Sequence, residues 1–437
     1  MAEFVVLGGG LAGLAAAAAL GSDGHSVTVL EARPFLGGRA TSFPLSPNDA
    51  SEIIDNCQHI LLRCCVNLLD FYQRIGVSNR IDFHREFYFI EPGGRTSVMR
   101  AGLLPKPLHF TESFAALRFL TLGEKLAIAR GLLSVRAEHA TRTDLDRITM
   151  LDWLLEKEQP PRAIERFWRQ VLVSAVNEEL DRMAARHGLQ VFWLGFLARS
   201  DSYQMGIPAV PLGELYNADV WMAQPRVDIR LRCPVTSIQI ENGRVSSIEA
   251  GGQIVRGDGY ISALPFERLQ PLAPDLDVPY SEFQHSPITG IHLWFDRPVT
   301  TLPHGTLLDR TIQWFFNKSE GRYLQLVVSA SRGLLDKGRQ EIVDLAVAEL
   351  NEFLPAARPA QLIKAQVIKE VRATFSARPG LDSLRPDART EWNNFYLAGD
   401  WTRSGWPATM EGAVRSGYLA AGAAVGKPDR FLLPDIA

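Results

Sequence analysis

Apolar residues open the chain in a run of four, Phe4-Val5-Val6-Leu7, that stops at glycine, which predicts a buried parallel strand. An alanine-rich stretch from Leu11 predicts a helix. Gly21 to Gly24 turn the chain, and Val27-Thr28-Val29-Leu30 forms a second strand that stops at Glu31. Strand, helix and strand together fill the roughly 30 residues that a βαβ unit needs. Over 56–75 the apolar positions recur at helical spacing, predicting one helix that ends near Gly76. Two further helices are expected within 108–136. Residues 150–199 also read as helical, with a break at Pro160-Pro161, and their Phe167, Trp168, Phe192, Trp193 and Phe196 suit the wall of an apolar cavity. Between 227 and 261 the period falls to two, and turns at Glu241-Asn242-Gly243-Arg244 and Gly251-Gly252 predict a small antiparallel meander. Strands are expected at 286–295 and 323–329 and a helix over 340–353. Phe395-Tyr396-Leu397-Ala398 then leads to a glycine turn and a last helix.

These elements predict an α/β chain, with a Rossmann-like dinucleotide-binding domain (1–75, 205–285 and 385–437) interleaved with an α+β substrate-binding domain (76–204 and 286–384). At 437 residues, 46% hydrophobic and 22% charged, the chain can bury a large core. A net charge of −3 with mixed signs removes the basic footprint of a nucleic-acid binder. The four cysteines form no Cys-x-x-Cys pair and the nine histidines no ligand spacing, so neither a disulfide framework nor a metal site is expected. The start of the chain has no basic, cleavable apolar leader, and the run 11–20 is shorter than the roughly 20 residues of a spanning helix. A cytoplasmic protein is expected.

Chemistry enters at Gly8-x-Gly10-x-x-Gly13, placed between the first strand and its helix. There the first glycine makes the turn, the second lets a pyrophosphate approach the N–H groups of Leu11 and Ala12, and the third packs helix on strand. Glu31, at the end of the second strand, stands where a carboxylate accepts from ribose hydroxyls. No second GxGxxG follows a strand, since Gly257-x-Gly259 falls in the meander. A separate nicotinamide domain is therefore not expected.

Glu31-Ala32-Arg33-Pro34-Phe35-Leu36-Gly37-Gly38-Arg39-Ala40 carries the chain further, because it resembles the flavin-containing amine oxidase and carotenoid desaturase superfamily, whose FAD-binding domain is glutathione-reductase-like. The resemblance implies FAD as cofactor, with Arg39 and the amides of Gly37 and Gly38 against its diphosphate and ribityl side. Arg33 reads as either a phosphate contact or a solvated arginine. Leu397-Ala398-Gly399-Asp400 and Gly405-Trp406-Pro407-Ala408-Thr409-Met410-Glu411-Gly412-Ala413 match the superfamily's second motif. This implies that Gly399 and Asp400 meet the ribityl or phosphate, and that Pro407, Ala408, Thr409, Met410 and Ala413 start a helix aimed at the flavin. Pro407 suits a helix start, and Glu411 reads as a residue that compensates the helix dipole. Val235 matches a position whose backbone contacts adenine.

Asp55-Asn56-Cys57-Gln58-His59-Ile60-Leu61-Leu62 resembles the Asp-Asn-Gly-Gln-His segment of bacterial hydroxysqualene dehydroxylases, as do Phe375-Ser376-Ala377-Arg378-Pro379 and 399–417. Cys57 departs from that family's glycine, and Glu178-Glu179 after Asn177 from its Thr-Pro-like pair. The resemblance implies reductive loss of an allylic hydroxyl, Asn56 and Gln58 beside the cofactor, and His59 as candidate proton donor. It also implies a triterpene or other isoprenoid substrate, an unidentified electron donor with NADPH among the candidates, and transient contact with the inner membrane surface through 108–135, where Phe110, Phe114, Leu117, Phe119, Leu120 and Leu122 lie beside Arg118 and Lys125. Phytoene-type desaturases share these motifs and oxidise instead. Isoprenoid-binding GDP-dissociation inhibitors share the fold without needing a complete flavin site. In the amine-oxidising branch Gly-Tyr stands where this chain has Ala408-Thr409, which disfavours an amine substrate.

Overall fold

The computed structural model describes residues 1–46 and 49–436. Strand β1 (Glu3–Leu7), helix α1 (Leu11–Ser22) and strand β2 (Ser26–Leu30) form the predicted βαβ unit. β1 and β2 lie inside a five-stranded parallel sheet, in the order Val227–Arg230, β2, β1, Gly259–Ser262, Phe395–Leu397. Every residue from Leu11 to Leu20 is buried, which explains why α1 shows no polar face. Its small side chains let the C-terminal helix Met410–Ala424 approach closely: a methyl on Gly417 would lie 2.2 Å from Ala12 O.

A second, seven-stranded sheet runs in the order Leu362–Phe375, His285–Phe295, Tyr323–Ser329, Trp314–Ser319, His304–Leu307, Phe87–Ile90, Thr96–Met99. Ile291, Leu293 and Leu326 on one face share a core with Ile342, Ala346 and Leu350 of the helix Arg339–Phe353. The other face, carrying Gly290, His292 and Trp314, turns toward residue 56 and the helices over 161–197. Those helices contain two π turns, Ile164–Trp168 and Trp193–Leu197, which bring several of the predicted bulky aromatics together. Asn177, in a left-handed conformation at φ 58°, ends the helix Arg169–Val176.

Four sequence expectations are corrected. Only Val66–Arg74 (α2) of the stretch 56–75 is helical; Leu61–Leu62 instead pairs as a short strand with Met205–Pro208, because Cys64-Cys65 turns the chain first. The meander is confined to Val235–Glu241, Arg244–Ala250 and Gln253–Val255; its flanks, Val227–Arg230 and Gly259–Ser262, are parallel strands of the first sheet. Alternation alone does not say which sheet a strand joins. Leu117, Phe119 and Leu120 are buried in the core, so they cannot offer a docking face. The exposed apolar residues of this region are Leu103, Leu104, Leu108, Leu122, Leu126 and Leu133. Pro407 lies before the capping residue Thr409, outside the helix it was expected to start. No helix among the described residues is long and apolar enough to cross a membrane.

Candidate cofactor and substrate site

α1 begins at Gly10 with no side-chain cap and no acidic residue in its first turn, so the leading N–H groups face outward unpaired. The glycine segments that follow β1 and β2 press together there. Gly37 N donates to Gly9 O at 2.9 Å, and a methyl on Gly38 would lie 3.1 Å from Gly10 Cα. A methyl on Gly13 would lie 2.0 Å from Gly8 O, whereas one on Gly10 would find nothing nearer than Gly38 Cα at 3.9 Å. The chain therefore needs glycine at position 13 for its own packing. Position 10 opens onto a small cradle of N–H groups with positive character, which fits a diphosphate.

Glu31 closes one side. Its carboxylate accepts from Gly9 N at 2.7 Å and Arg33 N at 2.8 Å, which fixes it at the strand end. Cys233 N donates to Glu31 O, so Val235 is brought to the same end of the sheet and is half-buried there. Ala32 is exposed, and the Arg33 guanidinium reaches Gly38 O at 3.3 Å over Phe35, lying on the outer lip. Ala40 N donates to Gly37 O, tightening the loop.

The opposite wall comes from the far end of the sequence. Arg39 donates to Asp400 Oδ1 at 2.7 Å and to Ala373 O at 2.6 Å. Gly399, at φ 135°, donates its N–H to Ser416 Oγ. Thr409 caps the C-terminal helix by accepting from Gly412 N, with Pro407 and Ala408 buried ahead of it and Met410 and Ala413 half-buried in its first turn. Glu411 does not merely face the dipole. It is fully buried and accepts from Asn67 N, Asn67 Nδ2 and Leu68 N, capping α2, and burial pushes its carboxyl up to about 7.

The segment 55–60 lies between the cradle and the second sheet. Asn56 Nδ2 donates to Arg39 O and to Glu370 Oε2, each at 3.2 Å. Gln58 Oε1 accepts from Lys318 Nζ, which also pairs with buried Asp55 at 3.0 Å. His59 Nδ1 sits 3.0 Å from Cys57 O, so it donates there and leaves Nε2 as an acceptor. Burial holds the His59 pKa below its ordinary value, and the ring is predominantly uncharged at neutral pH.

Two residues that sequence reasoning missed organise this site. Arg385, fully buried, donates to Asp382 Oδ1, to the carbonyls of Trp406, Asp400 and Thr402, and to Ser404 Oγ, and so shapes the loop that presents Asp400. Asn177 joins Ser286 O, Thr374 Oγ1 and Ala330 N, while the adjacent buried Glu178 pairs with Arg332 at 2.6 Å. Arg385 sits in a segment without local periodicity, and Asn177 falls within the stretch 150–199 that reads simply as helix. Only the partners, 15 or more residues away for most of these bonds, reveal them.

A line of aromatic rings runs inward from the surface to the second sheet. Phe110 meets Tyr203 at 4.8 Å and Phe196 at 6.1 Å between centroids; both meet Phe87 at 6.1 Å, and Phe87 meets Trp314, which stacks on Phe316. At the outer end Phe110 is half-buried beside exposed Leu108. Among the described residues no cluster of three or more His, Cys, Asp or Glu could hold a metal ion.

Comparison with known proteins agrees with this geometry. The family model for flavin containing amine oxidoreductases matches residues 11–425. The 15-cis-phytoene desaturase of Synechococcus elongatus is 26% identical over 98% of this chain and 96% of its own length. Of the solved structures, an oxidoreductase from Methanosarcina mazei superposes with a TM-score of 0.72 at 19% identity, covering 97% of this chain and 100% of that one. A putrescine oxidase does so with a TM-score of 0.71 at 15% identity, covering 98% and 99%; at such identities the likeness is one of fold. With an open diphosphate cradle, a fixed ribose-side carboxylate and a match spanning nearly its whole length, the chain belongs to the flavin containing amine oxidoreductase family and uses FAD as its cofactor.

Proposed function

We propose that this FAD-dependent oxidoreductase removes the hydroxyl of hydroxysqualene to give squalene. The observation that carries the reading is the run of aromatic rings from Phe110 to Phe316, a dry apolar interior beside which a long isoprenoid could be held. The segment 55–62, similar to that of hydroxysqualene dehydroxylases, favours a hydroxylated substrate. Overall, the alcohol, two electrons and two protons become hydrocarbon and water, with NADPH or another external donor as source of the electrons. FAD, when bound, supplies hydride chemistry. It would be held by Gly10, Leu11 and Ala12 at the diphosphate, by Glu31 and Val235 at the adenosine, and by Arg39, Asn56, Gly399 and Asp400 toward the flavin. The protein's own contribution is to exclude water from the allylic cation and to pass a proton to the departing oxygen. His59 is assigned that transfer as a relay: its Nε2, an acceptor in the resting protein, must first take up a proton, which it then gives to the oxygen. His59→Ala is expected to retain FAD and slow turnover at least about tenfold, the lower range of acid–base contributions being about 100-fold; unchanged turnover in a single-turnover assay removes it.

The deciding experiment is anaerobic incubation of dithionite-reduced holoprotein with hydroxysqualene, following flavin reoxidation and squalene formation together. A second reading, desaturation of a phytoene-like polyene, is favoured by the 26% identity to a 15-cis-phytoene desaturase. It is taken up if reduced flavin persists and no squalene forms, whereas oxidised holoprotein is bleached by phytoene.

The same reading extends to the membrane, as the store of such substrates. Leu103, 98% exposed, with Leu104 and Leu108 surrounds the outer end of the aromatic line, and Leu122, Leu126 and Leu133 form one stripe beside exposed Arg118 and Arg130. At about 1.5–3 kcal/mol per buried leucine, Leu103→Asp with Leu122→Asp should lower sedimentation with anionic liposomes by at least about tenfold. Unchanged sedimentation removes this face as the contact.

A further inference from the structure

Where the aromatic line meets the second sheet, its inward face is not apolar. His292 on His285–Phe295 is directly opposite Gln325 on Tyr323–Ser329, in antiparallel register, so the two side chains are neighbours on one face. The same transverse row continues through Phe316 to His304. His292, Gln325 and His304 are completely buried. Yet His292 Nε2, both ends of the Gln325 amide and both His304 nitrogens have no hydrogen-bond partner. Buried polar groups of this kind are costly when unpaired, and three in one row, which half-buried Gln366 extends on the far side of His292, call for a ligand.

The row also lies beside the segment 55–60. A methyl built on Gly290 would lie 3.5 Å from Asn56 O and 4.0 Å from His292 Nε2, so the free imidazole nitrogen is beside the segment that bonds Arg39. The ring is held from behind. Tyr323 Oη lies 2.8 Å from His292 Nδ1, and the Tyr323 ring is clamped by stacking on Trp294 at 4.4 Å. Charged groups of the neighbouring elements, Asp55 and Lys318, pair with each other at 3.0 Å. Burial keeps the imidazole neutral and the phenol protonated. With the phenol donating to Nδ1, Nε2–H is a donor toward the site.

We propose that His292 and Gln325 form the seat for the substrate's hydroxyl group, His292 Nε2–H donating to its oxygen and Gln325 Oε1 accepting a hydrogen bond from its O–H. This deepens the dehydroxylase reading and rests on it. A seat of this kind accounts for selection of an alcohol over the hydrocarbon it becomes, and it favours release of the product, which leaves the polar pair unmatched.

The test uses oxidised holoprotein, which cannot reduce the substrate, titrated in detergent micelles with hydroxysqualene and with squalene while the flavin absorption band is followed. Wild type is expected to prefer the alcohol at least about tenfold, as a missing hydrogen bond to a buried polar site costs a factor of this order or more. His292→Phe and Gln325→Met should bring that ratio near one with squalene affinity and flavin content unchanged; Tyr323→Phe, which only frees the ring, should give an intermediate ratio. Gln325→Met replaces an unpaired buried amide with an apolar group of similar size, whereas His292→Phe also leaves Tyr323 Oη without its partner; an unaltered or raised melting temperature of Gln325→Met, and of His292→Phe combined with Tyr323→Phe, certifies the fold. If wild type makes squalene but the variants keep its preference, the seat is overturned while the dehydroxylase reading stands. If wild type shows no preference and makes no squalene, both fall.

Discussion

Gly10→Val is expected to give a folded but colourless protein. Gly10 has φ −79° and ψ 176°, an extended conformation that valine adopts freely, and its Cβ would meet nothing nearer than 3.9 Å. The fold should therefore tolerate the change. The branched side chain would instead occupy the space in front of the α1 N–H groups. A steric conflict of ~1–3 kcal/mol corresponds, at its upper end, to about 100-fold weaker FAD binding. Visible absorbance of the purified protein and titration with FAD measure the loss, and circular dichroism with a thermal melt measures the fold. Gly13→Val is the contrast: with Gly8 O 2.0 Å from the added carbon, it should fail to fold. A yellow Gly10→Val protein with wild-type affinity would mean that the diphosphate does not lie in this cradle.

Arg385→Ala is expected to be the most destabilising single truncation near the site. The side chain is fully buried and serves Asp382, Asp400 O, Thr402 O, Trp406 O and Ser404 Oγ at once. Removing one partner of a buried ion pair costs about 3–5 kcal/mol, and the orphaned carbonyls add to it. Denaturant unfolding of the apoprotein should register that loss, and FAD affinity should fall with it because the loop presenting Asp400 loses its anchor. Arg385→Lys should rescue little, since an ammonium cannot fork to several carbonyls. A loss below about 1 kcal/mol by the same unfolding measurement would show that these bonds contribute little.

Much of the cofactor half was legible in the sequence because its chemistry is local. Gly8, Gly10, Gly13 and Glu31 sit at the fixed intervals that a βαβ unit imposes, and the structure brings them together with Gly37, Gly38, Arg39, Gly399 and Asp400 as expected. Helix Arg339–Phe353 was also legible, because one of its faces is apolar at a period of 3.6. Strands that carry a mixed face were not. Trp314–Ser319 and Leu362–Phe375 alternate around polar residues such as Lys318, Gln366 and Glu370, whose purpose lies across the sheet and not along the chain. Arg385 carried no signal and Glu411 read only as a dipole-compensating residue for the same reason: their partners are in other segments. His292 carried no signal at all until the register put Gln325 opposite it.

The bond between Arg39 and Asp400 joins residues 361 positions apart, and α1 finishes its packing only against the C-terminal helix. On a ribosome working at ~5–20 residues per second, the glycine loop thus emerges roughly 20–70 s before the residues that complete it. During that interval α1, with no polar face of its own, waits beside an unfinished sheet lacking Gly259–Ser262 and Phe395–Leu397. A complete flavin site therefore forms only after residue 400 has emerged, and until then the nascent chain is a natural client for chaperones that shield apolar helices.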